Sequence, residues 1–182
     1  MAVFDCNQDL LPEVFMAGGE NLSSLYLNVS EFGGSLRFQK HDNLQIRNVT
    51  GAYPIDVDSD ELIDLVVLRV GRNSIFKGLG NCQFIEANHL WNFEGGNDWS
   101  TAFSATWLAE DNWPTLAVGN YIDQSQAQSP FGTCLNHQIL KPKPQSFESQ
   151  IISPGYCALS MLFSDWDRYL FLVMARLNDP NH

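Results

Sequence analysis

Asp56-Val57-Asp58-Ser59-Asp60-Glu61-Leu62-Ile63-Asp64-Leu65-Val66-Val67-Leu68-Arg69 sets acids at positions 1, 3, 5 and 9 of a short loop and follows them at once with an apolar run. Oxygen-bearing side chains at that spacing converge on one point, which is how a loop builds an oxygen cage for Ca2+. The chain repeats the pattern near its start, where Asp5, Asn7, Asp9 and Glu13 precede Val14-Phe15-Met16-Ala17-Gly18-Gly19. Glu13, Asp64 and Thr115 fall at intervals of 51 residues, and Thr115 opens the similar run Leu116-Ala117-Val118-Gly119-Asn120. A metal loop feeding a strand at that period predicts an array of small sheet units.

The strand signals around the loops agree with this. After each Val/Leu-rich strand come a turn and a shorter strand, Ser24–Asn28 in the first unit and Ser74–Gly78 in the second. A glycine turn then leads into a third strand ending on Phe38 or Phe84. A fourth strand, such as Gly51–Ile55 or Phe103–Trp107, runs into the next loop. Four short strands with turn punctuation make one blade of a propeller. The fold expected is therefore all-β, with blade-like units at about 1–55, 56–107, 108–164 and a partial 165–182 in a single domain.

Composition excludes several functions. A chain of 182 residues, 45% hydrophobic and 17% charged, has enough apolar material for a core. Its net charge of -11 argues against nucleic acid, since the surface would repel a phosphate backbone and no Lys/Arg cluster offers a local exception. No apolar run reaches the roughly eighteen residues that span a bilayer as a helix. No signal peptide precedes the first loop, so an exported form implies a longer precursor.

Cys6, Cys82, Cys134 and Cys157 lack the paired spacing of a zinc site. Cys134 and Cys157 flank Lys141-Pro142-Lys143-Pro144 and would close that segment by a disulfide in an oxidising compartment; the alternative is buried free thiols. Sequons at Asn21, Asn28 and Asn48 point towards the same extracellular location. His41, His89, His137 and His182 stand singly, without a zinc-protease helix or a nucleophile elbow, so no catalytic group is expected.

The two loops, their strands and Trp113-Pro114-Thr115-Leu116-Ala117-Val118-Gly119-Asn120-Tyr121 together resemble the FG-GAP or VCBS repeat, the blade unit of integrin alpha-subunit propellers. Cys157–Asp167 looks like a fourth entry strand and loop, with Asp165 and Asp167 at positions 1 and 3 but Tyr169 and Val173 at positions 5 and 9. The resemblance covers nearly the whole chain. It implies a calcium-stabilised extracellular propeller segment that binds a protein or glycan in adhesion. Family loops place Gly at position 6, whereas this chain has Leu10, Glu61 and Leu170, which either take a strained backbone or loosen the loop. At the third loop Thr115 replaces the acid, so no ion is expected there.

Three and a half units fall short of the four to eight that close a ring. The reading favoured is that further blades lie in sequence outside this chain; otherwise two chains complete one ring, or open blade edges favour self-assembly, which leaves a filament or surface-layer subunit as one alternative function and a domain of a polysaccharide-active enzyme as another. Trp91, Phe93, Trp99, Phe103, Trp107 and Trp113 crowd one region. They either fill the wedge between sheets or form a contact surface, and a segment inserted at about 124–147 is a second candidate contact element.

Overall fold

Alternation of apolar residues makes the core. In the computed structural model, Leu65 and Val67 of the strand after the second acidic loop point to one side, Val66 and Leu68 to the other, and all four are fully buried. A strand covered on both faces reads as a continuous apolar run. Described here are residues 1–108, 111–123, 125–126, 133–165 and 170–176.

These residues form fourteen strands in four antiparallel sheets, with no helix among them. The first sheet contains β1 (Ala2–Phe4), β2 (Glu13–Met16), β3 (Ser24–Asn28) and β4 (Phe38–His41). The second contains β5 (Val49–Ile55), β6 (Asp64–Arg69), β7 (Ser74–Gly78) and β8 (Phe84–Glu86). β9 (Ser100–Thr106), β10 (Thr115–Asn120), β11 (His137–Lys143) and β12 (Ser146–Ile152) make the third. β13 (Ala158–Asp165) and β14 (Leu170–Arg176) pair as a two-stranded fourth. In each four-stranded sheet, chain neighbours are also sheet neighbours.

The units begin one strand earlier than the sequence suggests. The strand before each loop hydrogen-bonds to the strand after it, as the pairs Phe4↔Glu13, Ile55↔Asp64 and Thr106↔Thr115 show. Each acidic loop is thus the connection of a hairpin within one sheet. Gly51–Ile55 opens the second sheet instead of closing the first. At the fourth sheet Asp165 pairs with Leu170, and Val173 sits in mid-strand opposite Leu162. Val173 and Leu170 are therefore strand residues, so only Asp165 and Asp167 remain of the half cage expected as a possible weak metal site. Asp167 and Tyr169 lie outside the described residues.

Successive sheets pack face to face. Phe15 and Leu25 of the first sheet meet Leu65 and Val67 of the second; Val66 and Leu68 meet Leu116, Val118 and Leu140 of the third. Ala102, Ala117, Ala158 and Met161 join the third sheet to β13. The small residues there follow from close approach: a Cβ on Gly119 would stand 2.8 Å from Ala158 Cβ and 2.9 Å from Met161 Sδ. Burial of these apolar faces at roughly 25 cal/mol per Å2 is the main stabilising term.

Both disulfides form, Cys134–Cys157 as expected from their flanking positions and Cys6–Cys82, which spacing alone did not reveal. The buried free thiols are ruled out, since no cysteine is free. Cys6 lies in the first acidic loop and Cys82 in the turn between β7 and β8, so this bond ties the first sheet to the second. Two disulfides suit an oxidising compartment. No helix is long and apolar enough to cross a membrane. The segment expected as an insertion at about 124–147 contains all of β11 and the start of β12, because Lys141-Pro142-Lys143 pairs with Ser146-Phe147-Glu148.

Candidate functional site

Each acidic loop is built round its first and last acids. Asp5 accepts hydrogen bonds from the backbone N–H groups of Asn7, Gln8, Asp9 and Leu10, at 3.3, 2.7, 3.3 and 2.9 Å. Asp56 accepts from Asp60 and Glu61 at 3.2 and 3.1 Å. These bonds hold the loop in a tight coil whose positions 4 and 6 need positive φ. Gln8 and Leu10 have φ of 62° and 68°, and Ser59 and Glu61 have 59° and 67°. Position 6 is thus left-handed here without glycine. The carboxylate bonds offset a backbone cost of order 1–3 kcal/mol per residue.

Position 9 is the buried end. Glu13 and Asp64 are fully buried. Asp64 accepts from the N–H groups of Val57 and Gly78, both at 2.8 Å. Glu13 accepts from Cys6 at 3.0 Å and from Asn28 at 3.4 Å. Burial pushes the Glu13 carboxyl above its ordinary range and that of Asp64 up to about 7, although the backbone donors work in the other direction. Without a cation, each loop therefore carries a costly buried acid.

The two loops differ in what they gather. Oxygens of Asp56, Asp58 and Asp64 all lie within 4.8 Å of one another, and Asp58 Oδ1 is buried without a hydrogen-bond partner. Three converging carboxylates and an orphaned acceptor suit a hard divalent cation. Asp60 stands apart from that group. Lys77 Nζ donates to Asp60 at 2.5 Å and to Asp58, and lies 5.6 Å from the centre of the Trp91 ring. Partial burial opposes both charges, yet the pairing holds Asp60 below and Lys77 above their ordinary ranges.

In the first loop Asn7 Nδ2 donates to Asp9 at 3.0 Å, and Asp5, Asp9 and Glu13 do not converge in the same way among the described residues. Glu13 instead lies close to Cys6 and Cys82, whose sulfurs are bonded to each other and so cannot act as thiolate ligands. The first loop thus brings fewer carboxylates together than the second among the described residues.

Register explains the third loop. Val14 pairs with Tyr26, Leu65 with Phe76 and Leu116 with Leu140, so Asn28, Gly78 and Pro142 occupy equivalent places. Glu13 and Asp64 accept an N–H from that place. Pro142 has none to give, and its partner position holds the buried Thr115. The carboxylate and its backbone N–H donor are absent together.

A signal that the sequence reading missed joins the three loops. Gln8 Nε2 donates to the Glu61 carbonyl at 3.2 Å, and Ser59 Oγ donates to the Asn112 carbonyl at 2.5 Å. Each bond runs from position 4 of one loop to position 6 of the next, across 53 residues. The loops therefore line one edge of the stacked sheets. At the other end of the strands, Asn73 Nδ2, Ser100 Oγ and Asn120 Oδ1 form a chain of bonds at 2.8 and 2.7 Å.

Beside the second loop opens a cleft of about 820 Å3 between Asp58, Lys77, Trp91, Asp111, Trp113 and Pro142. The crowded aromatics mostly fill the interior. Trp91 and Phe93 are buried, with Phe103 and Trp113 packed against the same cluster. Trp99 meets Tyr121 edge to face at 5.3 Å, and Trp107 is exposed. Of the sequons, Asn21 is exposed, Asn48 is half-buried and Asn28 is buried, with its Nδ2 donating to the Pro12 carbonyl at 3.3 Å. A glycan at Asn28 does not fit this folded surface. No family model and no curated protein matches the sequence.

Proposed function

We propose that this chain is a segment of an extracellular, calcium-stabilised β-propeller that acts as a binding or adhesion module. The observation that carries the reading is the convergence of Asp56, Asp58 and Asp64 in a loop whose spacing recurs at Asp5, Asn7, Asp9 and Glu13. Asp56, Asp58, Asp60 and Asp64 would hold the ion, and the first loop would hold a second one more weakly. Bound Ca2+ would neutralise the buried acids and fix the loops at one edge of the sheets. Its role is structural, with stabilisation of roughly 2.7 kcal/mol per site at a hundredfold excess over the dissociation constant.

Lys77 sharpens the reading. Its ammonium group holds the acids of positions 3 and 5, so Ca2+ must displace it to complete the cage. The disulfides suit the calcium-rich exterior. Thermal melts in millimolar Ca2+ and in EDTA test the proposal. The expected result is a rise in melting temperature with Ca2+ that Asp58→Ala and Asp60→Ala abolish. An unchanged wild-type melt would make these loops ordinary Asx-rich turns.

A further inference from the structure

We infer that the cleft beside the second loop binds a neutral saccharide, stacked on Trp113. The inference names the ligand class of the binding module proposed above and rests on that reading. Its volume of about 820 Å3 falls within the range of small-molecule sites, roughly 300–1,000 Å3.

The floor is a fixed aromatic surface. Trp113 is half-buried and packs edge to face on Trp91 at 5.3 Å and against Phe147 at 5.2 Å. Trp91 and Phe147 are themselves buried, so the indole is held in place before a ligand arrives. Leu90, Pro142 and Pro144 add apolar surface round it. An indole fixed in this way presents a flat face to the C–H groups of a pyranose ring, at little entropic cost.

The rim supplies hydrogen bonds without net charge. The side-chain amides of Asn112 and Gln145 are exposed and make no hydrogen bond among the described residues. Each offers both donors and an acceptor, which suits hydroxyl groups. With the second loop free of cation, the two cations of the lining are paired, Lys77 to Asp58 and Asp60, and Lys143 to Glu148 at 3.0 Å. Asp58 and Asp111 balance Lys77 and Lys143, and the chain as a whole is strongly acidic. The strongly acidic chain disfavours an anionic ligand, and a neutral polyol meets amide groups that match it.

The test is titration of the full chain with neutral oligomers of glucose, galactose, mannose, xylose and N-acetylglucosamine, followed by calorimetry and saturation-transfer NMR. Acidic uronate oligomers and a proline-rich peptide serve as comparison ligands. All titrations are run in Ca2+ and again in EDTA. Binding of a neutral member is expected, weakened roughly thirtyfold by the double variant Asn112→Ala with Gln145→Ala, which corresponds to about 2 kcal/mol for two lost hydrogen bonds. These two exposed positions leave the core intact. Trp113→Phe keeps an aromatic ring in the packing and should weaken binding with the fold retained.

Absence of binding by every neutral member overturns the inference, as does binding that these variants leave unchanged. Preference for the uronates or the peptide overturns the ligand class. Saccharide binding without any calcium-dependent melt removes the calcium reading and leaves the cleft standing; a calcium-dependent melt without saccharide binding does the reverse.

Discussion

The second and third sheets share strand order and register, and their central strands are buried alike, yet one carries an acid at the head of that strand and the other does not. Asp64 meets the N–H groups of Val57 and Gly78, whereas Thr115 faces a register position held by Pro142. The difference teaches that the acid and its backbone donor are one device. A buried carboxylate without donors is expensive, and so is a buried donor without an acceptor. The third sheet lacks both members at that place, so its strand pairing survives without a cage.

Restoring half of the device should have the largest effect. Thr115→Asp places a carboxylate at a buried position where Pro142, the register equivalent of Gly78, has no N–H to give, and destabilisation of about 3–5 kcal/mol is expected in chemical denaturation. Adding Pro142→Gly supplies the missing donor and should recover part of that loss. If Thr115→Asp alone is tolerated, the acid does not depend on its donor and the comparison breaks.

Removing the acceptor from the second sheet is the next test. Asp64→Ala leaves the buried N–H groups of Val57 and Gly78 unpaired, with an expected cost of about 2–4 kcal/mol. Asp64→Asn keeps one acceptor and should cost less. Equal losses for the two variants would show that charge, not hydrogen bonding, sets the role of this residue.

The smallest effect is a difference in pH response, read with a chelator present. Burial raises Asp64 from an ordinary 3.8 to about 7, so the folded chain keeps a proton that the unfolded chain has released. Its stabilising contribution is full below the unfolded value and is lost as pH rises through about 7. His137, in β11 of the third sheet, behaves in the opposite way. Burial holds its pKa below the ordinary 6.5, so its contribution is present above that value and is lost as pH falls. Denaturation midpoints between about pH 5 and about pH 8 should therefore show a loss on the alkaline side that Asp64→Asn removes, with the acid-side loss unchanged. An alkaline loss that persists in Asp64→Asn would assign it to another group.

Much of the fold was legible because strands announce themselves by local chemistry. The runs Leu65–Leu68 and Leu116–Val118, the 51-residue spacing and the turn residues between them gave an all-β chain of repeated units. The unit boundary was not legible. Whether Gly51–Ile55 pairs backwards with the first sheet or forwards with β6 depends on the loop folding into a hairpin, and short strands of similar composition fit either partner. The length of the fourth hairpin was equally illegible. Asp165 and Asp167 match two positions of the cage, but the pairing of Asp165 with Leu170 closes the hairpin too early for the others to follow.

The candidate site divides in the same way. That Asp56, Asp58 and Asp64 come together was readable from spacing because the three lie close together in sequence. Lys77 was not, since it reaches Asp58 across 19 residues and only the β6–β7 register brings it there. The Cys6–Cys82 bond spans 76 residues and was equally hidden.

By itself, the sequence determined the strands, the acidic loops and the overall charge, because each rests on residues that are neighbours along the chain. The tertiary structure alone decided which strands share a sheet, that Lys77 holds the acids of the second loop, and that Trp113 faces a cleft. These depend on register and packing between distant segments, where the free energy of many small contacts selects one arrangement among several that local chemistry permits.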